Sequence, residues 1–318
     1  MSAPATAHVD GLHHVTTIAS AAAANDAFHR EALGLRRVKA TVNFDEPTVY
    51  HLYFGDGLGR AGTVITSFPF GRHVAPGRRG AGEATETAYA VPPGSLPFWE
   101  ERLGALAPVR RESRFGEARL VTEGPDGEGV ALVEQAGDGR EPFAEVVGAE
   151  EAVRGFHSVT LTLREAGPTA RLLRVMGYEE EGREGSVLRM RARTGNGADV
   201  VDILEDPGAP PARQSAGSVH HVAFSVPTQA AQDGVRAALA EVGVEATPAI
   251  DRDYFWAIYF RTPGGVLFEV ATEEPGFARD EAPEALGSAL KLPRQHEHLR
   301  GRLVRSLEPL PGLAGVGA

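Results

Sequence analysis

Three short segments of the sequence repeat one another: GLHHVTTIA from Gly11, GFHSVTLTL from Gly155 and SVHHVAFSV from Ser218. Each is rich in β-branched and apolar residues, which predicts a strand. A helix-like segment and further strands follow each one, and a more divergent unit with the same order opens at Glu86. An internal repeat constrains the fold strongly, because each copy must form the same supersecondary unit. The sequence therefore predicts four βαβββ copies.

Four such copies predict an α+β chain, organised as two pairs of modules whose curved sheets form partly open barrels around cavities. A loop rich in Gly, Asp and Glu separates the second copy from the third, and a polar tail that contains proline follows the fourth. We expect residues 1–10 to form a disordered N-terminal segment that leads into the first strand. The predicted organisation is an N-terminal pair of modules in residues 1–150, a C-terminal pair in 151–272, and a tail in 273–318 with one helix over about Arg294–Leu307.

The overall charge of the chain limits its partners. The chain has 32 Lys and Arg residues and 43 Asp and Glu residues, which gives a net charge of -11, and it contains no block of basic residues. Neither a nucleic-acid surface nor a membrane surface is therefore expected. The chain has no cysteine, so disulfides, thiolate zinc sites and thiol catalysis are excluded. With no signal-peptide pattern and no apolar run that could span a bilayer, we expect a cytoplasmic protein.

The histidines of the repeated strands are candidate metal ligands. His14 and His221 occupy equivalent places in the first and fourth copies, and His13 and His220 precede them. Successive side chains of a strand point to opposite faces, so one histidine of each pair faces the cavity and the other faces away or lies at the rim. Glu269 stands in an otherwise apolar strand of the fourth copy, and a buried carboxylate there needs a positive partner.

Two histidines and one carboxylate form the triad that binds Fe(II) on one face and leaves the other open. The position equivalent to Glu269 in the first copy is Thr66, so a fourth ligand is not expected. The competing interpretations are that Glu269 forms a buried ion pair with an arginine and that the histidines are ordinary core residues. We interpret the remaining histidines, apart from His157, as core or surface residues; they are His8, His29, His51, His73, His296 and His298.

From Gly11 to about Leu292 the chain resembles the vicinal oxygen chelate superfamily, and within it the ring-cleaving dioxygenases of the hydroquinone-cleaving type. The resemblance implies that His14, His221 and Glu269 bind Fe(II), or less often Mn(II). It also implies that Tyr259 and Arg252 line the substrate cavity, with substrate-binding residues His13 and Thr16 and the catalytic candidate His220 nearby. The matching stretches are GLHHVT from Gly11, YHLYFGD from Tyr50, Gly62-Thr63, RGFHS from Arg154, HHVAF from His220, RDYF from Arg252, YFRTPGGVLFE from Tyr259, PGF from Pro275 and Asp280-Glu281.

The resemblance further implies an extradiol-type dioxygenase, an oxidoreductase that incorporates both atoms of O2 into a small dihydroxylated aromatic substrate. Tyr259 and His220 are the candidate acid–base groups, and Arg252 would stabilise negative charge. Catechol-cleaving relatives would use His157 in place of His14, but Ser158 stands at the aligned position. The alternatives are a glyoxalase-like isomerase or lyase and a metal-free protein that sequesters small molecules. The ring substituents, the choice of metal and the oligomeric state, a homo-oligomer included, stay open.

Overall fold

A computed structural model describes residues 8–316, and within them the βαβββ order occurs four times. The first two copies contain these elements: β1 (Leu12–Ala19), α1 (Ala22–Ala27) continued by a π-helical turn (Phe28–Ala32), β2 (Arg36–Val42), β3 (Tyr50–Gly55), β4 (Val64–Pro69); and β5 (Glu83–Val91), α2 (Leu96–Gly104), β6 (Arg110–Arg114), β7 (Glu117–Glu123), β8 (Gly129–Glu134).

The other two copies follow the same order, and the tail adds short helices. Their elements are β9 (Gly155–Leu163), α3 (Gly167–Val175), β10 (Tyr178–Glu184), β11 (Val187–Ala192), β12 (Val200–Glu205); β13 (Val219–Val226), α4 (Gln229–Glu241), β14 (Ile250–Asp251), β15 (Phe255–Arg261), β16 (Leu267–Pro275); and, in the tail, 3-10 turns at Phe277–Arg279, Pro283–Ala285 and Arg294–Leu299 before α5 (Arg300–Ser306). The predicted tail helix is thus a 3-10 turn followed by α5.

The sixteen strands form two curled sheets of eight strands each. One has the order β14-β15-β16-β13-β1-β4-β3-β2 and joins the fourth copy to the first, while the other has the order β10-β11-β12-β9-β5-β8-β7-β6 and joins the third copy to the second. The predicted α+β class of paired βαβββ modules is therefore confirmed. The division at residues 150 and 272 stays a prediction, and each sheet takes one copy from either side of residue 150.

Antiparallel pairing of β1 with β13 joins the two halves of the first sheet. Its register is irregular on both sides of His14, between Leu12 and His14 and between Thr16 and Thr17. Irregularities of this kind bend a strand and re-aim its side chains, and they are common next to functional sites. On either side of this junction, β1 pairs with β4 and β13 pairs with β16, both in parallel.

The C-terminal tail packs against the first copy. Its residues Asp280 and Glu281 pair with Lys39 on β2, a lysine that has no solvent-exposed surface. Further along, a carboxylate oxygen of Glu308 accepts hydrogen bonds from the backbone of Ala22 and Ala23 at the start of α1. The tail therefore ties the end of the fourth copy to the first.

The N-terminal residues 8–10 join the structure as well. The backbone N–H of Val9 donates to Met176, and that of Asp10 donates to Ser225. The rest of the predicted disordered lead-in, residues 1–7, lies outside the described residues. Across residues 8–316, no helix combines the length and the apolar character needed to cross a membrane.

Candidate metal centre

Three side chains from neighbouring strands converge inside the first sheet. His14 on β1 and His221 on β13 place their Nε2 atoms 3.2 Å apart. A carboxylate oxygen of Glu269 on β16 lies 2.9 Å from Nε2 of His221 and 3.5 Å from Nε2 of His14. All three side chains are buried, and β13 lies between β1 and β16 in the sheet. The strand order therefore brings the predicted ligands together.

The spacing and the chemistry of this cluster fit a divalent metal ion. Nitrogen and oxygen ligands lie about 2.1 Å from such an ion. Two ligands at right angles are then roughly 3.0 Å apart, as expected for three ligands on one face of an octahedron. The observed separations lie between 2.9 and 3.5 Å. Neither oxygen of the fully buried Glu269 carboxylate makes a hydrogen bond of good geometry to any described residue, so a cation would satisfy both.

Hydrogen bonds from the preceding histidine fix the tautomer of His14. The backbone carbonyl of Thr272 lies 3.2 Å from Nε2 of His13 and can only accept, so that nitrogen carries the hydrogen. In a neutral His13 ring Nδ1 is then an acceptor, and the Nδ1 atom of His14 lies 2.9 Å away. His14 therefore donates from Nδ1, which leaves the lone pair on Nε2 free for a metal ion, the usual arrangement of a histidine ligand.

The second histidine pair repeats this contact. Nδ1 of His220 lies 2.7 Å from Nδ1 of His221, and the two rings meet edge to face. His220 can therefore accept a hydrogen bond from His221 in the same way that His13 accepts from His14. In both pairs the first histidine orients the second.

The electrostatics of the cluster favour a bound cation. Burial lowers the pKa of His13 to about 3 and that of His220 to about 3, and it also lowers the pKa of His221, so these rings are neutral at pH 7. Burial by itself raises the pKa of Glu269, but the adjacent His14 and His221 outweigh it and leave this pKa well below the usual range. Glu269 is thus an ionised carboxylate in a fully buried site, and such a charge is costly unless it is paired.

A cavity of about 470 Å³ opens onto the three side chains. Phe and Tyr side chains form part of its wall, which suits a flat ring as a ligand because aromatic pairs stack with favourable geometry. The rest of the wall is mostly polar, and it includes Asn43, Asp45 and Glu46. The aromatic lining consists of Phe44, Tyr53, Phe68, Phe70, Phe255 and Tyr259, and the polar lining includes His51, His220, Gln214 and Arg252.

Arg252 and Tyr259 form a pair at one side of this cavity. Tyr259 lies opposite Glu269 in the pairing of β15 with β16, and Nε of Arg252 donates to the Tyr259 hydroxyl over 3.1 Å. The guanidinium group lies 5.4 Å from the ring centre of Phe44 and 5.2 Å from that of Tyr259. Burial raises the pKa of Tyr259 well above its usual value, so its phenol group keeps its proton.

The remaining predicted residues take different positions. Thr16 is buried in the cluster, with its hydroxyl 2.8 Å from Nε2 of His221. His220 is half-buried and lines the site cavity. His13 lines a neighbouring cavity of about 670 Å³, and the ring of Phe255 borders both cavities. His13 therefore lies behind the cluster, where it contacts His14.

The equivalent region of the second sheet is filled by ion pairs. His157 binds a carboxylate oxygen of Glu117 over 3.2 Å, Arg189 pairs with Asp202 over 2.8 Å, and Arg119 pairs with Glu86 over 2.5 Å. Arginine side chains thus supply the positive charge in this sheet. His157, the alternative ligand, is not part of the cluster of His14, His221 and Glu269.

His51 was not predicted as a site residue, although it lines the cavity. Its ring makes hydrogen bonds to Tyr53 on its own strand and to Thr66 on β4. The alternation of side chains along β3 places His51 and Tyr53 on one face of the sheet. The alternation could have indicated His51 as a cavity residue, but only if the face of β3 that is turned to the cavity had been known.

Comparison with known proteins agrees with this fold. A family model described as the Glyoxalase/Bleomycin resistance protein/Dioxygenase superfamily matches residues 174–270. A protein of Bacillus subtilis with the name "Putative ring-cleaving dioxygenase MhqO" is 40% identical over 303 residues, which cover 94% of this chain and 96% of the relative. The chlorohydroquinone/hydroquinone 1,2-dioxygenase of Sphingobium indicum is 38% identical over 309 residues, with the same two coverages of 94% and 96%.

Solved structures extend the comparison. A crystal structure described as a dioxygenase from Bacillus subtilis has 39% sequence identity and a TM-score of 0.91, and the match covers 96% of this chain and 98% of the other. Glyoxalase I from Zea mays, at 14% identity and a TM-score of 0.61 over 83% of this chain and 92% of its own, shares the fold. The chain belongs to the glyoxalase and dioxygenase superfamily, the vicinal oxygen chelate proteins. Within it, the chain belongs with the ring-cleaving dioxygenases.

Proposed function

We propose that this protein is a non-haem Fe(II)-dependent dioxygenase that cleaves the ring of a small dihydroxylated aromatic compound with O2. The observation that carries the proposal is the buried cluster of His14, His221 and Glu269 at the base of a cavity partly lined by aromatic rings. The names of two relatives, a ring-cleaving dioxygenase and a hydroquinone 1,2-dioxygenase, support the same reaction class. Incorporation of both oxygen atoms, as in extradiol cleavage, is part of the proposal.

His14, His221 and Glu269 would hold the metal ion. Fe(II) would act as a Lewis acid toward a phenolic oxygen and would bring O2 and substrate together on its open face, and Mn(II) accepts the same ligands. His13 and His220 keep the two ligand rings oriented through their Nδ1 contacts. Replacing a residue that orients a metal ligand typically lowers metal affinity or activity by about tenfold to a hundredfold.

The cavity residues would bind and orient the substrate. The rings of Phe255 and Tyr259 offer stacking surfaces beside the cluster, and Arg252 offers a fixed positive charge for an ionised hydroxyl group. Tyr259 keeps its proton and can donate a hydrogen bond from its hydroxyl. His220 lines the cavity, and because its Nδ1 can accept from His221, its Nε2 carries the hydrogen and can donate a hydrogen bond to the substrate. Thr16 contributes a hydroxyl beside His221, and His13 acts through His14.

The glyoxalase-like alternative would use a fourth ligand in the first copy. Thr66 takes that place, and its hydroxyl lies 2.9 Å from the hydroxyl of Thr16 and 2.9 Å from Nε2 of His51. Threonine has no carboxylate, and the hydroxyl of Thr66 is already hydrogen-bonded to other side chains. The observation thus favours a three-ligand site with an open face over an isomerase site.

Oxygen uptake tests the proposed function. Protein reconstituted anaerobically with Fe(II), with occupancy confirmed by plasma mass spectrometry, should consume O2 when substituted hydroquinones or catechols are added. Products formed under labelled O2 should contain both oxygen atoms. Protein loaded with Zn(II) is the control, because this metal ion takes similar ligands without redox chemistry. Absence of O2 uptake with every compound at full iron occupancy would refute the proposal, and failure to bind Fe(II) or Mn(II) would favour the metal-free alternative.

A further inference from the structure

A row of polar side chains crosses four adjacent strands and ends at the metal ligand His221. The hydroxyl of Tyr53 on β3 lies 2.8 Å from Nδ1 of His51, and Nε2 of His51 lies 2.9 Å from the hydroxyl of Thr66 on β4. The Thr66 hydroxyl lies 2.9 Å from that of Thr16 on β1, which lies 2.8 Å from Nε2 of His221 on β13. The row therefore contains four consecutive hydrogen-bond contacts.

Strand register builds this row. Tyr53 lies opposite Thr66, Thr66 lies beside Thr16, and Thr16 lies opposite His221. All of the row's side chains are buried, from 0% exposure for Thr16 and Thr66 to 8% for His51. Among the described residues, the hydroxyls of Tyr53, Thr66 and Thr16 and both ring nitrogens of His51 have hydrogen-bond partners only within the row. The nearby Thr17 instead donates to a backbone carbonyl. The hydroxyl of a buried threonine can usually hydrogen-bond to a backbone carbonyl. A continuous row of contacts between side chains therefore calls for a different explanation.

The two ends of the row fix its direction. At one end, His51 is the only hydrogen-bond partner of the Tyr53 hydroxyl among the described residues, so donation to His51 leaves no buried hydrogen unpaired. At the other end, Nε2 of His221 carries no hydrogen when it binds a metal ion, so Thr16 cannot accept from it. Tyr53 then donates to His51, His51 to Thr66 and Thr66 to Thr16. The hydrogen of the Thr16 hydroxyl is left to point into the cluster.

We propose that Tyr53, His51 and Thr66 are positioning residues that hold the Thr16 hydroxyl as a fixed hydrogen-bond donor to a negatively charged oxygen at the open face of the metal site. Preorganised donors of this kind stabilise charge that develops during a reaction, and hydrogen bonds in a chain strengthen one another. The inference rests on the proposed dioxygenase function. It adds three residues, none of them a proposed metal ligand, that set the direction of one donor.

The test uses paired variants of the row. Tyr53→Phe removes the terminal donor, Thr66→Val removes the central hydroxyl with little change in shape, and Thr66→Ser keeps that hydroxyl. Tyr50→Phe is the matched control, because Tyr50 lies on the same strand and its hydroxyl donates to the backbone of Glu308, away from the site. For each protein we would measure Fe(II) affinity, the melting temperature, kcat and KM, and anaerobic binding of 4-nitrophenol, whose ionised form absorbs visibly.

Tyr53→Phe and Thr66→Val should lower kcat and the affinity for 4-nitrophenolate by about tenfold each, close to the loss of one hydrogen bond to a charged group. Fe(II) affinity should stay within about twofold of wild type, and Thr66→Ser and Tyr50→Phe should behave as wild type. The proposal is overturned if kcat and nitrophenolate binding do not change, if they fall only together with Fe(II) affinity, or if Tyr50→Phe lowers them by the same factor. Wild-type protein that binds Fe(II) but consumes no O2 would instead refute the dioxygenase function.

Discussion

The Nε2 atoms of His14 and His221 lie 3.2 Å apart although 207 residues separate the two histidines along the chain. The antiparallel pairing of β1 with β13 produces this contact, and β16 adds Glu269 from the other side of β13. No single copy therefore contains the site. The three predicted ligands meet only because the first and last copies share a sheet.

Replacement of the carboxylate should remove metal binding without harming the fold. In Glu269→Gln the amide has nearly the same shape but no charge, so we expect Fe(II) affinity to fall by at least about 100-fold. The metal-free variant should fold but be less stable than the metal-free wild type, because the folded protein favours the ionised form of Glu269, whose pKa lies well below the usual range. Calorimetric titration and thermal melts with and without Fe(II) measure both effects.

A matched control for that variant is Glu83→Gln, since Glu83 is also a buried glutamate but lies at the start of β5 outside the cluster. It should bind Fe(II) as wild type does. Full Fe(II) affinity in Glu269→Gln would contradict the assignment of Glu269 as a ligand.

Two histidine variants separate the alternative ligand sets. His14→Ala should abolish Fe(II) binding, because His14 contributes one of the three converging atoms. His157→Ala should keep Fe(II) affinity and lose about 1–2 kcal/mol of stability, because it breaks hydrogen bonds to Ser158 and Glu117 in the second sheet. Plasma mass spectrometry after reconstitution gives the metal content. The reverse result would show that the metal ion is held by the third copy, as in the catechol-cleaving pattern.

The sequence predicted the parts of the site that lie within repeated motifs. His14, His221 and Glu269 could be singled out because equivalent positions in the four copies can be compared directly. The row from Tyr53 to Thr16 could not be predicted in this way, since it depends on the register between β3, β4, β1 and β13. Individual strands show alternation, but they do not show which residues of neighbouring strands lie opposite one another.

Chain order alone does not indicate which copies share a sheet. In the structure each sheet joins one copy from either half of the chain, and the division at residues 150 and 272 stays a prediction. The tail read as a polar extension, yet it packs on β2 through the buried Lys39. Nothing near Lys39 in the sequence indicates that its partners lie about 240 residues further along.

Glu83 should make stability depend on pH. Burial raises its pKa from 4.5 to about 7, so between these values the folded protein holds a proton that the unfolded chain has released. The free energy of unfolding should therefore fall as pH rises from about 4.5 to 7, by up to about 3 kcal/mol at 1.36 kcal/mol per pKa unit. Urea unfolding of wild type and Glu83→Gln at several pH values isolates this contribution, because glutamine does not titrate. Parallel curves for the two proteins would contradict the prediction.

The ion pair between Lys39 and Glu281 should hold the tail in place. Both side chains are buried, and Asp280 adds a second contact to Lys39 over 2.6 Å. Lys39→Met leaves Glu281 buried without its partner, which should cost about 3–5 kcal/mol of unfolding free energy. Limited proteolysis should then cut the chain near residues 277–290.

The double variant Lys39→Met/Glu281→Gln should recover part of that loss, because no uncompensated charge remains. Lys291→Met is the control, since Lys291 lies on the tail and is only half-buried. A double variant less stable than Lys39→Met alone would show that packing, rather than unpaired charge, causes the loss.

The pairing of β1 with β13 also has a consequence for synthesis of the chain. The ribosome completes the first copy more than 150 residues before β13 exists, so one long edge of β1 stays unpaired while the middle copies are made. Unpaired strand edges invite association with other chains. The second and third copies can form their own sheet at once, since β5 and β9 are neighbours in synthesis as well. The metal site can therefore be assembled only after β16 has been made, and until then the nascent first copy is the segment that most needs protection.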